Sequence, residues 1–231
     1  MKVTEMKKKV NFVDVEKNVR KLADSAKTIE ELKNGVEKVD GYLKIKELEG
    51  AENLVFGEEG NVNADILILG EAPGKTEDFE GRPFCGDSGE LLNNMFKLLG
   101  INREELYITN TVFWRPNKNN TPSEKENRTP SKSEVKICKP FIEKLIFLID
   151  PKLIITIGKT AFVSLINTTK KITEARGELF DYTNQYLNGK VIKTTPLFHP
   201  SYLIRNGIKL PRSGSLWPLS SHSAWLFLSV S

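Results

Sequence analysis

The segment "ADILILGEAPGKTEDFEGRPFCG" (Ala64–Gly86) decides how the rest of the chain is read. Its apolar run, Ile66 to Leu69, is short, uninterrupted and closed by Gly70, which is the pattern of a strand covered on both faces. "GEAPGKT" then invites comparison with a phosphate-binding loop. The spacing argues against it: such a loop has four residues between its first glycine and the Gly-Lys pair, and only three separate Gly70 from Gly74. Glu71 would also set a carboxylate where backbone N–H groups must face phosphate oxygens. The two glycines and the proline of "EDFEGRPFCG" predict no helix after Thr76. No other apolar strand ends in an aspartate that could hold magnesium. The segment therefore reads as a strand feeding a catalytic loop of another kind.

Outward from this strand the chain alternates. "TIEELKNGVEKV" puts Ile29, Leu32, Val36 and Val39 on one helical face. "SGELLNNMFKLLGI" predicts a helix capped by Ser88 and stopped at Gly100, and "ELYITNTVFW" a strand ending near Asn110. "NKNNTPSEKENRTPSKSE" is polar and nearly self-repeating, the composition of a flexible surface loop. "EVKICKPFIEKLIFLI" reads as a helix despite Pro140, "KLIITIG" as a strand, "KTAFVSLI" as a helix, and Val191 to Thr195 as a fourth strand before a loop with His199. Strand–helix alternation predicts an α/β fold, a three-layer sandwich whose central four-stranded parallel sheet is flanked by helices. In such sheets functional loops lie beyond the carboxyl ends of the strands. Glu71, Asn110 and His199 each end or follow a strand, so they are expected in one cleft.

The chain has 231 residues, 39% of them hydrophobic and 28% charged, with a net charge of +4. That balance is globular, and only mildly basic, so composition alone says little about a nucleic-acid partner. Two cysteines, Cys85 and Cys138, in separate segments point to a reducing, cytoplasmic location without disulfides. No signal peptide or membrane span is expected. Three stretches are expected: an N-terminal helical extension over residues 1–50, a catalytic domain over 51–209, and an atypical tail over 210–231. The tail has six serines after Ser213 and no acidic residue, as though a shifted reading frame had replaced a helix.

Read together, "GEAPGKTEDFEGRPFCGDSGELL", "YITN" and "HPSYL" resemble the family 4 uracil-DNA glycosylases, from about Val55 to Arg205. The resemblance extends to a related domain of some phage DNA polymerases. It implies a monofunctional glycosidase of base-excision repair, which hydrolyses the N-glycosidic bond of flipped-out deoxyuridine. Its partner is uracil-containing DNA, with no membrane and no second subunit. The alternative is a catalytically impaired DNA-binding remnant or a polymerase-associated module.

The resemblance also assigns roles. Phe84 stacks on uracil, beside Gly70 and Ala72. The Asn110 amide accepts from N3–H and donates to O4, a pattern that cytosine reverses. His199 donates to O2 as negative charge builds there. Glu71 either positions the attacking water or fixes its loop through backbone N–H bonds, as Glu77 and Asp78 can. Ser201, Tyr202, Leu203 and Arg205 are candidates for contact with DNA. Leu203 is equally readable as a wedge or as core packing.

The family carries a [4Fe-4S] cluster on four cysteines. Here the CxxC region reads "YLKI", Tyr42 to Ile45, Trp114 precedes Arg115-Pro116, and Cys138 alone keeps a ligand position. No cofactor is therefore expected, the cluster being lost and its space filled by Tyr42, Ile45 and Trp114.

Overall fold

The computed structural model describes residues 12–40, 51–57, 61–119 and 126–205. Strand β1 (Ile66–Gly70) lies at the centre, with Leu67, Ile68 and Leu69 sealed from solvent. Beside it run β2 (Leu106–Asn110) and β3 (Leu153–Ile157), both parallel to it. Strand β4 (Phe180–Tyr182) is antiparallel to β5 (Ile192–Leu197), giving the order β2-β1-β3-β5-β4. The sheet thus has five strands where four are expected. The extra strand is a three-residue edge, too short to show a period in the sequence. Strand β5 carries Pro196 opposite Thr156, beyond the last residue paired with β4, where the missing N–H costs no ladder bond on that side.

Residues alternate between two cores. Leu67, Leu69, Tyr107 and Ile154 face a layer that includes α1 (Phe12–Ser25), α2 (Ile29–Asp40) and α5 (Lys132–Ile149). Ile68, Ile108, Ile155 and Ile157 face α4 (Asp87–Leu98) through Leu92 and Phe96. This is the expected three-layer arrangement. Leu32, Val36 and Val39 are buried on α2 as their spacing requires. Thr28 Oγ1 caps that helix by accepting from the Glu31 N–H at 3.1 Å.

Local readings need three corrections. A short helix, α3 (Lys75–Glu80), does follow Gly74, ending at Gly81 with φ 70°. Helix α4 starts from Gly86, not Ser88. The polar stretch after Asn117 is tied at its neck rather than loose: Asn117 bridges Asn127, and the Arg128 N–H donates to Pro116 O at 3.0 Å. Both terminal nitrogens of Arg128 donate to the buried Glu134 carboxylate at 2.8 Å, a paired geometry that fixes position as well as charge. Residues 120–125, 41–50 and the expected tail 210–231 lie outside the described residues.

Beyond β3 the chain forms α6 (Lys159–Leu165) and α7 (Ile172–Ala175), and after β5 it forms α8 (Pro200–Arg205). The connection from β1 runs to one neighbour and that from β3 to the other side, which opens a crevice at the carboxyl ends of these strands.

Candidate active site

That crevice is a cavity of about 600 Å³ whose lining includes Glu71, Ala72, Phe84, Asn110, His199, Ser201 and Arg205. The three strand ends converge as their positions in the sequence require. Gly70 lets them touch. A Cβ there would overlap Asn110 Oδ1 and stand 2.6 Å from the Phe84 ring, so only glycine lets ring and amide share one slot. Phe84 is itself in the left-handed region, with φ 49°, and only 5% exposed. Such a backbone in a bulky residue stores about 1–3 kcal/mol and persists where its surroundings hold it. Phe84 O in turn passes so close to Gly89 that no Cβ fits there.

The loop between β1 and α4 is closed by its own carboxylates. Glu77 Oε2 accepts from the Gly74 N–H at 3.1 Å, and Oε1 accepts from the Cys85 and Gly86 N–H groups at 3.1 and 2.9 Å. The Gly74 amide, one that a phosphate on this loop would need, is taken by a fixed anion. The nucleotide reading thus fails on occupancy as well as on spacing, although the helix it calls for is present. Asp78, 2% exposed, accepts from the Glu52 and Asn53 N–H groups at 3.0–3.1 Å. Burial pushes its carboxyl up from the ordinary range, against the pull of those two amides.

His199 is oriented by the residues after it. Its Nδ1 accepts from the Ser201 N–H at 3.2 Å and lies 2.8 Å from Ser201 Oγ. A backbone N–H can only donate, so Nδ1 carries the lone pair and the proton sits on Nε2. Burial pushes the imidazole pKa down; Glu71 opposes that shift and Arg205 adds to it. The ring is neutral at pH 7 and stands 6.3 Å from that of Phe84, tilted by 30°. Behind it Gly158, with φ 89°, leaves only 3.4 Å for a Cβ against His199 Cβ.

Not every expected site residue faces the cleft. Leu203, on α8, is 6% exposed and packed inward in the DNA-free protein. Tyr202 is 43% exposed and stacks 5.1 Å from Phe198, and Arg205 is exposed at the cavity. Ser201 lines the cavity, its amide and hydroxyl both within hydrogen-bond distance of His199 Nδ1. Asn127, overlooked in the sequence because it falls in the polar stretch, also lines the cavity. Its Oδ1 accepts from Arg115 Nε at 2.7 Å, and Arg115 is 1% exposed. A buried arginine behind an exposed amide leaves no signal of period or spacing.

A fold with its cleft at the strand switch, a glycine-walled slot between an aromatic ring and an amide, and a neutral histidine donor define a base-binding hydrolase-type site. The chain belongs to the uracil DNA glycosylase superfamily, whose family model matches residues 58–218. It is 41% identical to the type-4 uracil-DNA glycosylase of Thermotoga maritima over 155 residues, covering 67% of this chain and 73% of that protein. It is 37% identical to that of Sulfurisphaera tokodaii over 175 residues, 74% of each chain. It is also 30% identical to a DNA polymerase of Bacillus phage SP01 over 148 residues, 64% of this chain and 14% of that protein.

These relatives correct the expectation about the cofactor. They are type-4 enzymes, the family that carries the iron–sulfur cluster, so membership argues for the group and not for its loss. The described residues at the corresponding places do not make a ligand set. Trp114 is buried with its Nε1 unpartnered among the described residues, and an indole N–H can donate but not ligate. Cys138 is buried on α5, and its thiol is pushed up to about 12 by burial. Among the described residues no group of three or more His, Cys, Asp or Glu could hold a metal ion. Tyr42 and Ile45 lie outside the described residues.

Proposed function

We propose that this chain is a uracil-DNA glycosylase that hydrolyses the N-glycosidic bond of a flipped-out deoxyuridine, releasing uracil and leaving an abasic site in the DNA. Flipping exposes the base edge and both faces, at the cost of unstacking. Phe84 covers one face of the base, with Gly70 and Ala72 at the slot wall. Asn110 accepts from N3–H through Oδ1 and donates to O4 through Nδ2, which excludes cytosine. As the C–N bond breaks, the electron pair moves onto the base and His199 Nε2–H donates to O2. A neutral donor, fixed before the reaction, stabilises the new anion without reorganising. Glu71 holds the water that adds to the sugar cation and takes up its proton. Ser201, Tyr202, Leu203 and Arg205 contact the DNA backbone and the gap in the stack. The protein acts as a monomer in the cytoplasm, with residues 1–50 as a helical extension, 51–209 as the glycosylase domain and 210–231 as an atypical tail. No helix among the described residues is long and apolar enough to cross a membrane.

The observation that carries this reading is the His199 tautomer, set by the Ser201 amide in the cavity shared with Phe84 and Asn110. The likeness to part of a phage DNA polymerase favours one other reading, a polymerase-associated module of the same fold without catalysis. A strand-cleavage assay separates them. Purified protein is mixed with a labelled oligonucleotide bearing one uracil, followed by alkali, with His199→Ala alongside. Cleavage by the parent and its loss in the variant supports the glycosylase. A folded parent that leaves the strand intact supports the module.

A further inference from the structure

We propose that Arg103 is a positioning residue for base recognition: its guanidinium holds Phe84 in the left-handed backbone conformation that sets the ring against Gly70 and Asn110. The role rests on the glycosylase reading. Arg103 opens the single-turn 3-10 helix Arg103–Glu105 that leads into β2, the strand ending in Asn110. Its Nη2 donates to Pro83 O at 2.7 Å and its Nη1 to Phe84 O at 3.1 Å. Nη1 also donates to Asn93 Oδ1 on α4 at 2.8 Å. One planar cation thus joins the stacking loop, the helix after it and the approach to the amide-bearing strand.

The need for such a tie follows from the backbone. Phe84 has φ 49°, a conformation a bulky residue leaves unless held. The held geometry is the useful one. At that φ the ring lies against the bare Cα of Gly70, where a Cβ would come within 2.6 Å of it, and the Phe84 carbonyl is pressed against Gly89. The carbonyls of Pro83 and Phe84 both point to the guanidinium. A fork of fixed donors can hold two carbonyls in one orientation, which a flexible ammonium cannot. Released from it, Phe84 relaxes toward negative φ and its ring leaves the slot. Glu77 holds the next two amides, of Cys85 and Gly86, from the other side, so the loop as a whole stays in place.

The test is a double-mutant cycle with Arg103→Ala and Phe84→Ala, read by single-turnover uracil release and by binding to abasic-site DNA. Arg103→Ala is expected to lower kcat/KM by about tenfold or more, as misplacement of a recognition group does. Binding to abasic DNA, which has no base to stack, stays within about twofold of the parent. In the Phe84→Ala background the second change adds nothing, because Arg103 acts through that ring. A loss that persists undiminished in the Phe84→Ala background, or an unchanged kcat/KM in Arg103→Ala, overturns the proposal. Hydrogen exchange gives a readout independent of activity: deuterium uptake across residues 82–89 rises in Arg103→Ala. Unchanged uptake overturns the tie even if the parent proves inactive. An inactive parent with raised uptake overturns the glycosylase reading and upholds the tie.

Discussion

Protonating His199 at Nδ1 removes the acceptor of the Ser201 N–H, so the folded protein resists that protonation, as does burial of the ring. The folded pKa therefore lies below the ordinary value of about 6.5, and the unfolded chain binds the proton more readily. Stability from this group is complete above about pH 6.5 and is lost as pH falls toward the folded value. Chemical denaturation of the parent between pH 7 and 5 is expected to show this slope, and His199→Gln to flatten it. His199→Ala should lower the rate of uracil release by about 100-fold or more, the usual loss when one preorganised donor to a developing anion is removed. Asn110→Asp should admit cytosine, since a protonated carboxyl presents a donor where the parent presents an acceptor. Release of cytosine from a cytosine-bearing oligonucleotide measures that, and an inert variant would count against the amide's assigned role.

At the scale of the element, α8 separates two neighbouring side chains that the sequence left equivalent. Leu203→Ala should cost about 2–4 kcal/mol of stability, because the side chain is buried at 6% exposure. Tyr202→Ala, at 43% exposure, should leave the unfolding midpoint nearly unchanged and weaken DNA binding instead. Urea titration and fluorescence anisotropy distinguish the two effects. The same contrast shows what could be read in advance. Strands β1 and β3 were legible because burial on both faces leaves an unbroken apolar run. Helix α2 was legible because one face repeats at three and four residues. Leu203 was not, since one turn of helix has no period. Helix α3 was hidden by its glycine and proline neighbours, although Gly74 and Gly81 are its two ends. The neck at Asn117 was hidden because polar residues that bond each other look like polar residues that bond water.

At the scale of the whole molecule, the sheet holds three buried hydroxyls, on Thr156, Thr194 and Thr195, without partners among the described residues. An unmatched buried hydroxyl loses its bonds to water and gains nothing. Thr194→Val keeps the shape and the branching suited to a strand, and is expected to raise stability by about 1 kcal/mol in urea unfolding. Glu71, Asn110 and His199 were legible as a convergent set because the sheet topology obliges strand ends to meet. Glu77 was legible as a carboxylate that fixes its own loop; Arg103 and Arg115 were not, since their partners are backbone carbonyls and side-chain amides in other segments.

The order of strands has a consequence for the chain as it is made. The slot of Gly70, Phe84 and Asn110 is complete in sequence well before His199, which follows β5. A chain cut short during translation anywhere between them carries the residues of the slot but lacks the imidazole that donates to the anion left on the base. Loss of that donor alone slows excision by about 100-fold or more, so incomplete products of synthesis add few stray abasic sites to the genome.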